Sequence, residues 1–246
     1  MIWAHFKTIF SFSVYHRLAL AARGQTLWFI AYLFFLSLLV FHFAADAHIR
    51  ENLPVFLKNF PAVTFEKGVL TSPQTPVNAP IPQSGFVITF DAARQTPPTL
   101  AEMTEKKQLM LVNQNRVYMP SSAGVQSRTL PAELSFSATP QTLEEHRDDI
   151  KAALKVIAFL TALMLVPLIM LFDFCVAAST GLFFKFITRA AVPNAVIFKW
   201  AAFLLGPLAA LWYVRLWFYI PLFTLAQVIL CVIYMQQIFN TLPEEC

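Results

Sequence analysis

Asp173 is the one formal charge in an apolar run from residue 156 to residue 184, which Lys155 precedes and Lys185 follows. A carboxylate in such a run could carry a proton or a cation, or it could form a structural pair with a basic residue. The basic residues available for a pair are Lys185, Arg189 and Lys199. Asp173 lies 18 residues after Lys155, about 27 Å along a helix and near the cytoplasmic interface. This position favours the structural pair.

Two other groups have residue types that can do chemistry. His42 and Asp46 are four residues apart with His48 close behind, which could begin a metal site. No cysteine and no His-Glu-x-x-His pattern accompanies them, so we expect neither a metal nor a cofactor. Ser121-Ser122 and His146 offer a nucleophile and a base by type. Nothing in the sequence brings them together, and we expect no enzyme.

The elements that must position these residues are membrane spans. The 246 residues are 57% hydrophobic and 13% charged, whereas soluble domains have about 25% charged residues. The net charge of +4 is small and its basic residues are dispersed, so the expected partner is the lipid bilayer and not nucleic acid. Cys175, Cys231 and Cys246 imply no disulfide framework.

The hydropathy pattern divides the chain into six segments. They are a cytoplasmic amphipathic segment (1–23), transmembrane helix 1 (24–45), a β-rich extracytoplasmic domain (46–151), a long transmembrane helix 2 (152–188), transmembrane helix 3 (189–214), and transmembrane helix 4 with a short cytoplasmic tail (215–246). The first segment is either an interfacial anchor or a basic lead-in. The predicted fold is an α-helical integral membrane protein with four transmembrane helices and a small β-rich domain inserted between helices 1 and 2.

Basic residues orient these segments in the bilayer. Lys7, Arg17 and Arg23 precede helix 1, and three more surround the next cytoplasmic turn, namely Lys185, Arg189 and Lys199. Because the turn between helices 3 and 4 carries only Arg215, the positive-inside rule places both termini in the cytoplasm. The predicted anchors at the outer interface are Trp212, Tyr213, Arg215, Trp217 and Tyr219. Gln227, Gln236 and Gln237 are expected to hydrogen-bond between helices.

The segment between the first two spans has strand-like runs at residues 63–70, 86–91, 109–112 and 116–119, with a hairpin connection at 113–115. Residues 71–84 contain four prolines and are predicted to form a loop or an edge segment. Residues 142–145 fit a capping box that opens a helix leading into the second span. The side chains expected in the core of this domain are Val63, Phe65, Phe86, Ile88, Leu111 and Val117.

Several loose motifs stand in a recognisable order. They are the aromatic, basic segment from Phe10-Ser11-Phe12 to Arg23, then Leu53-Pro54, then Phe65-Glu66-Lys67-Gly68-Val69-Leu70, then Phe86-Val87-Ile88-Thr89-Phe90-Asp91. Together with the long, paired C-terminal helices, this order resembles a family of bacterial integral membrane proteins classed as domain of unknown function 1189. The resemblance implies an extracytoplasmic insert and supplies no catalytic residues.

Two hypotheses about function follow. The first is a non-enzymatic bacterial inner-membrane protein that acts as an interaction or accessory subunit. Its outer domain would contact an envelope partner, and its helices would dock another membrane protein or a second copy. The alternative is a small transporter or transport accessory whose polar path runs near Asp173 along Pro167, Gly206 and Pro207. Broken helices around a cavity would favour the transporter, and a continuous, dry bundle would favour the subunit.

Overall fold

A computed structural model describes residues 8–9, 11–12, 14–20, 22–218 and 222–241. The helices are α1 (Val14–Ala19), α2 (Arg23–Lys58), α3 (Leu100–Glu105), α4 (Pro140–Glu145), α5 (Arg147–Thr188), α6 (Asn194–Trp217) and α7 (Phe223–Asn240). The strands are β1 (Val63–Glu66), β2 (Val69–Ser72), β3 (Val77–Pro80), β4 (Val87–Asp91), β5 (Gln108–Asn113), β6 (Arg116–Ser121), β7 (Gly124–Thr129) and β8 (Phe136–Ala138).

The chain folds as two compact units. The helical unit consists of Met1–Asp46 and Val156–Cys246, and the strand unit consists of Ala47–Lys155. Helices α2, α5, α6 and α7 are long and apolar enough to cross a membrane.

The predicted architecture is wrong in its order of helices and strands. In chain order α1 precedes α2, so the strands between residues 63 and 138 come after the second helix and before α4, and α3 lies among them. The prediction placed the strands between helices 1 and 2 because it counted only runs long enough to cross a bilayer. Helices α1, α3 and α4 have six residues each and leave no signal in a hydropathy window of membrane length.

Helix α6 lies at the centre of the helical unit. Its residues from Trp200 to Leu208 are all buried, in a cluster shared with α1, α2, α5 and α7. Small residues on α5 allow the close approach, because a Cβ built on Gly181 would lie 2.6 Å from Ile197 Cγ2 and 3.3 Å from Met235 Cε. Glycine at such a contact is typical of helix packing in membranes, where van der Waals contact holds the helices together.

The N-terminal segment packs into this bundle. Tyr15 is fully buried, and the indole nitrogen of Trp200 donates a hydrogen bond of 3.0 Å to its carbonyl oxygen. Lys199 Nζ donates to the Ala19 carbonyl at 2.8 Å, and the Tyr234 hydroxyl donates to the carbonyl of Ile9. The apolar side of α1 therefore meets protein, and its carbonyls at Tyr15 and Ala19 have donors on α6.

The strand unit contains two sheets. One has the order β2-β1-β8, and the other has the order β3-β4-β5-β6-β7. Their neighbours are antiparallel except β4 and β5, which run parallel and are joined through α3. The main core of this unit is formed by Val63, Phe65, Leu70, Ala79, Phe90, Val112 and Ala138. Its members come from both sheets, so neither sheet buries its apolar face alone.

The structure corrects several expectations for this unit. The run at 63–70 is two strands, because Lys67 and Gly68 have φ values of 52° and 76° and make the turn between β1 and β2. Phe86 precedes β4 and is 47% exposed, so its place in the predicted core is wrong. The helix cap is Thr139, which forms a capping box with Thr142. Residues 77–80, inside the proline-rich segment, form β3 at a sheet edge, where proline is tolerated, in agreement with the predicted edge segment. The hairpin between β5 and β6 is confirmed.

A bidentate ion pair fixes α3 beside the longer sheet. Arg94 Nη1 donates to Glu102 Oε1 and Arg94 Nη2 donates to Glu102 Oε2, both at 2.7 Å. Asn113 Nδ2 donates to the Arg94 carbonyl at 3.1 Å. The hydrogen bonds from Arg94 and Lys106 lower the pKa of Glu102 from 4.5 to about 2. The crossover between β4 and β5 is therefore closed by charge-assisted hydrogen bonds.

Candidate functional site

Asp173 is buried in the helical unit, with 5% of its surface exposed. Its Oδ1 accepts a hydrogen bond of 3.0 Å from Gln227 Nε2 on α7. Among the described residues, no Lys, Arg or His nitrogen lies within 4.0 Å of its carboxylate. The acid therefore has a neutral amide as its partner, as the predicted interhelical role of Gln227 requires.

The three basic residues predicted as partners of Asp173 lie elsewhere. Lys185 Nζ donates to Asn194 Oδ1 at 2.7 Å, and Lys199 Nζ donates to the carbonyl of Ala19. Arg189 is exposed in the connection after α5, with φ at 52°. Lys185 is 12 residues from Asp173 on the same helix, about 18 Å away, which is too far for a pair.

The depth of Asp173 also differs from the expectation. Its partner Gln227 is only four residues after Phe223, the first residue of α7, so it lies about 6 Å from that end. Thr188, the last residue of α5, is 15 residues from Asp173, about 22 Å away. Asp173 thus lies near the connection between α6 and α7. The prediction counted from Lys155, and the apolar run of α5 is longer than one bilayer crossing.

A small inner cavity lies on one side of Asp173. It is lined by Ser37 on α2, by Val166, Ile169 and Met170 on α5, and by Leu205, Ala209, Trp212 and Tyr213 on α6. The Ser37 and Tyr213 hydroxyls are hydrogen-bonded at 2.9 Å. The volume open to the centre of a water molecule is about 20 Å³, which is enough for about one water. The bundle around Asp173 is therefore almost dry on this side.

A larger opening, which we call the side crevice, also borders Asp173. It is lined by Leu168, Ile169, Phe172, Asp173, Trp212, Arg215, Leu216, Phe223, Thr224 and Gln227, with a volume of about 640 Å³. The guanidinium carbon of Arg215 lies 4.3 Å from the centroid of the Phe223 ring. No ion pair joins Asp173 and Arg215 in the described chain. One crevice therefore contains an acid and a base that do not neutralise each other.

The predicted interfacial anchors that the structure describes lie at the C-terminal end of α6. Trp212 stacks on Phe41 of α2 with ring centroids 6.4 Å apart, and Tyr213 bonds Ser37. Trp217 is exposed, and Tyr219 lies outside the described residues. Sequence reasoning missed Ser37 and Thr224 as neighbours of Asp173. Their only signal in the sequence is a hydroxyl group in an apolar run. Serine and threonine hydroxyls often hydrogen-bond to a carbonyl of their own helix, so this signal does not indicate a site.

The other chemistry-bearing candidates are not assembled into a site. Within the described ranges, no group of three or more His, Cys, Asp or Glu side chains could hold a metal ion. Ser121 Oγ donates to the Gly124 carbonyl at 3.0 Å, and His146 Nδ1 lies 3.6 Å from Asp149 Oδ2. Both residues are therefore engaged with close neighbours in the chain.

Within the described residues, four helices are long and apolar enough to cross a membrane, and their length and composition indicate a membrane protein. The family model described as protein of unknown function (DUF1189) matches residues 5–239, nearly the whole chain. The chain belongs to this family. No curated protein and no solved structure matches it.

Proposed function

We propose that this protein is a non-enzymatic accessory subunit of the bacterial inner membrane. Its helical unit docks another membrane protein, and its strand unit contacts a partner in the envelope. The observation that supports this role is an apolar surface on α5 that the protein's own helices leave uncovered.

This surface belongs to residues 156–168, which we call the overhang. Val156 is 17 residues from Asp173, about 26 Å along α5. Helix α7, which runs parallel to α5 from Gln227 onward, begins only about 6 Å beyond the level of Asp173. The overhang therefore extends about 20 Å past the first residue of α7. Its exposed side chains include Leu160, Met164 and Leu168, at 54%, 69% and 59%.

The bilayer alone does not account for the overhang. Helix α7 has 18 residues, about 27 Å, which matches a hydrocarbon layer of roughly 30 Å. The apolar run of α5 reaches about 43 Å, so the layer that covers α7 leaves part of α5 outside. Large apolar side chains in water cost about 25 cal/mol per Å². We infer that a hydrophobic segment of a different membrane protein covers the overhang.

Photo-crosslinking in cells tests this proposal. We expect benzoylphenylalanine at Leu160 or Met164 to crosslink the chain to one partner protein, because both positions lie on the exposed side of the overhang. The same label at Trp28 or Phe35, which are each 67% exposed on α2, is the matched control and should give lipid adducts only. Lipid adducts alone at all four positions would contradict the proposal. A band of twice the chain mass would instead assign the overhang to a second copy.

The proposed orientation has both termini in the cytoplasm, supported by the basic residues around the ends of α2, α5 and α6. In a chain whose three cysteines are replaced by serine, Gln74→Cys should react with an impermeant maleimide in intact cells. Arg189→Cys should react only after the membrane is permeabilised. Both side chains are exposed, so accessibility to the reagent depends on the side of the membrane. The reverse labelling pattern would overturn this orientation.

The second candidate function is a small transporter, and the burial of Asp173 without a cationic partner is the observation that favours it. Two other observations weigh against it. Helices α5 and α6 are continuous through Pro167 and Pro207, and the inner cavity holds about one water. A solute or ion flux in proteoliposomes that Asp173→Asn abolishes would favour the transporter over the subunit.

A further inference from the structure

The side crevice holds two opposite charges that have no partner of opposite charge among the described residues. Asp173 forms its floor and Arg215 lies among its lining residues. Asp173 Oδ1 accepts one hydrogen bond from Gln227, and Oδ2 has no hydrogen-bond donor within the described chain. The amide of Gln227 supplies a dipole and no charge. An ionised carboxylate inside an apolar region needs a counter-charge to offset its desolvation.

Arg215 is suited to an anion at the opening of the crevice. It is in the last turn of α6, and its side chain is exposed. The guanidinium is held over the Phe223 ring, which leaves its N–H groups free to donate at the ring's rim. Arginine presents a planar fork of donors that fits phosphate oxygens. The end of a membrane helix lies at the level of lipid phosphates.

The walls of the crevice face the lipid. Phe172 on α5 is exposed, as is Leu225 on α7 next to Thr224. An acyl chain can therefore lie along the walls while its headgroup enters between α5 and α7. Thr224 adds a hydroxyl beside the amide of Gln227, so the floor offers oxygen acceptors to a donor group.

We propose that the side crevice binds a headgroup that carries a primary ammonium and a phosphate, as in phosphatidylethanolamine. The ammonium donates to Asp173 and the phosphate accepts from Arg215. A primary ammonium has three N–H donors for the carboxylate and its neighbouring oxygens. A trimethylammonium has no N–H donor, so phosphatidylcholine keeps the phosphate contact with Arg215 and loses the hydrogen bonds to Asp173. Phosphatidylglycerol lacks the cation altogether.

Native mass spectrometry of the detergent-solubilised full chain tests the site, with the three lipids in matched acyl chains. We expect the wild type to retain phosphatidylethanolamine about tenfold better than phosphatidylcholine, the ratio for one charge-assisted hydrogen bond. Asp173→Asn should abolish that preference and keep the remaining binding. Arg215→Gln should weaken retention of all three lipids. Lys185→Gln is the matched control, because Lys185 is a cation at the opposite turn whose Nζ bonds Asn194, and it should change nothing.

Equal retention of phosphatidylethanolamine and phosphatidylcholine by the wild type would overturn the proposal. A preference that survives in Asp173→Asn would do the same. Arg215 is on the surface, so its variant should fold and give a result even where the buried Asp173 variant does not.

Competition with soluble glycerophosphoethanolamine distinguishes the source of the headgroup. Displacement of the bound lipid at millimolar concentration would support the headgroup chemistry and identify a soluble ligand. Retention of the lipid under the same conditions would identify the bilayer as the source, because the acyl chains then contribute to binding along Phe172 and Leu225.

Discussion

Gly68→Ala should destabilise the strand unit by about 3 kcal/mol, enough to expose β1 and β2 to solvent exchange. Gly68 has φ at +76°, and an added Cβ would lie 2.4 Å from the carbonyl oxygen of Pro131. The left-handed conformation alone costs an alanine about 1–2 kcal/mol. The steric clash adds to this conformational cost, because the carbonyl oxygen that the new Cβ meets belongs to the backbone and cannot rotate away. Hydrogen exchange with mass spectrometry on the full chain should show lost protection at residues 63–72 and 136–138.

Gly85→Ala is the matched control for this variant. Gly85 has φ at +69°, and nothing lies within 4 Å of its added Cβ. This variant has the conformational cost without the clash, so its free energy of unfolding should fall by only about 1–2 kcal/mol. Equal protection patterns in the two variants would show that the contact with Pro131 does not limit the stability of the turn.

Trp200→Ala should cost the helical unit about 3–5 kcal/mol. The side chain is 1% exposed, its ring meets those of His16 and Phe239 at 5.8 Å and 5.7 Å, and its nitrogen bonds the Tyr15 carbonyl. The variant leaves a cavity and removes the donor to α1. We expect a lower unfolding midpoint in detergent and faster proteolysis between residues 14 and 23.

Two variants separate the contributions of Trp200. Trp200→Phe keeps an aromatic ring and removes the N–H donor to the Tyr15 carbonyl, so its free energy of unfolding should fall by about 1 kcal/mol. Trp217→Ala alters an exposed tryptophan on the same helix and should stay within about 0.5 kcal/mol of wild type. If Trp200→Ala unfolds and is digested like wild type, α1 is not held by this contact.

The membrane helices could be located from the sequence because apolar runs of span length are a local signal. The ends of these helices could not be located in this way. Helix α2 continues to Lys58 and α5 begins at Arg147, since mixed polar residues outside a bilayer remain compatible with a helix. Strands β7 and β8 were missed because their exposure pattern lacks alternation, and β8 exists through its pairing with β1. That pairing joins residues more than 70 positions apart.

At the candidate site, the sequence identified Asp173 and left its surroundings open. The search for a partner followed charge and led to Lys185, Arg189 and Lys199. The observed partner, Gln227, is 54 residues away and neutral. Arg215 was predicted as an interfacial anchor, and its place in the same crevice as Asp173 depends on how α5, α6 and α7 pack. Hydropathy contains no information on that packing, because all three helices are apolar around most of their circumference.

The docking of the N-terminal segment has a consequence for the order of biosynthesis. Its carbonyl acceptors at Ile9, Tyr15 and Ala19 leave the ribosome first, while their donors Trp200, Lys199 and Tyr234 follow about 180 to 225 residues later. The segment therefore lacks Lys199 and Trp200 until α6 has been made, and it lacks Tyr234 until α7 has been made. Closure of the helical unit is complete only when Tyr234 on α7 meets the carbonyl of Ile9. A truncated chain that lacks α7 would keep its earlier spans and lose the Tyr234 contact that completes this closure.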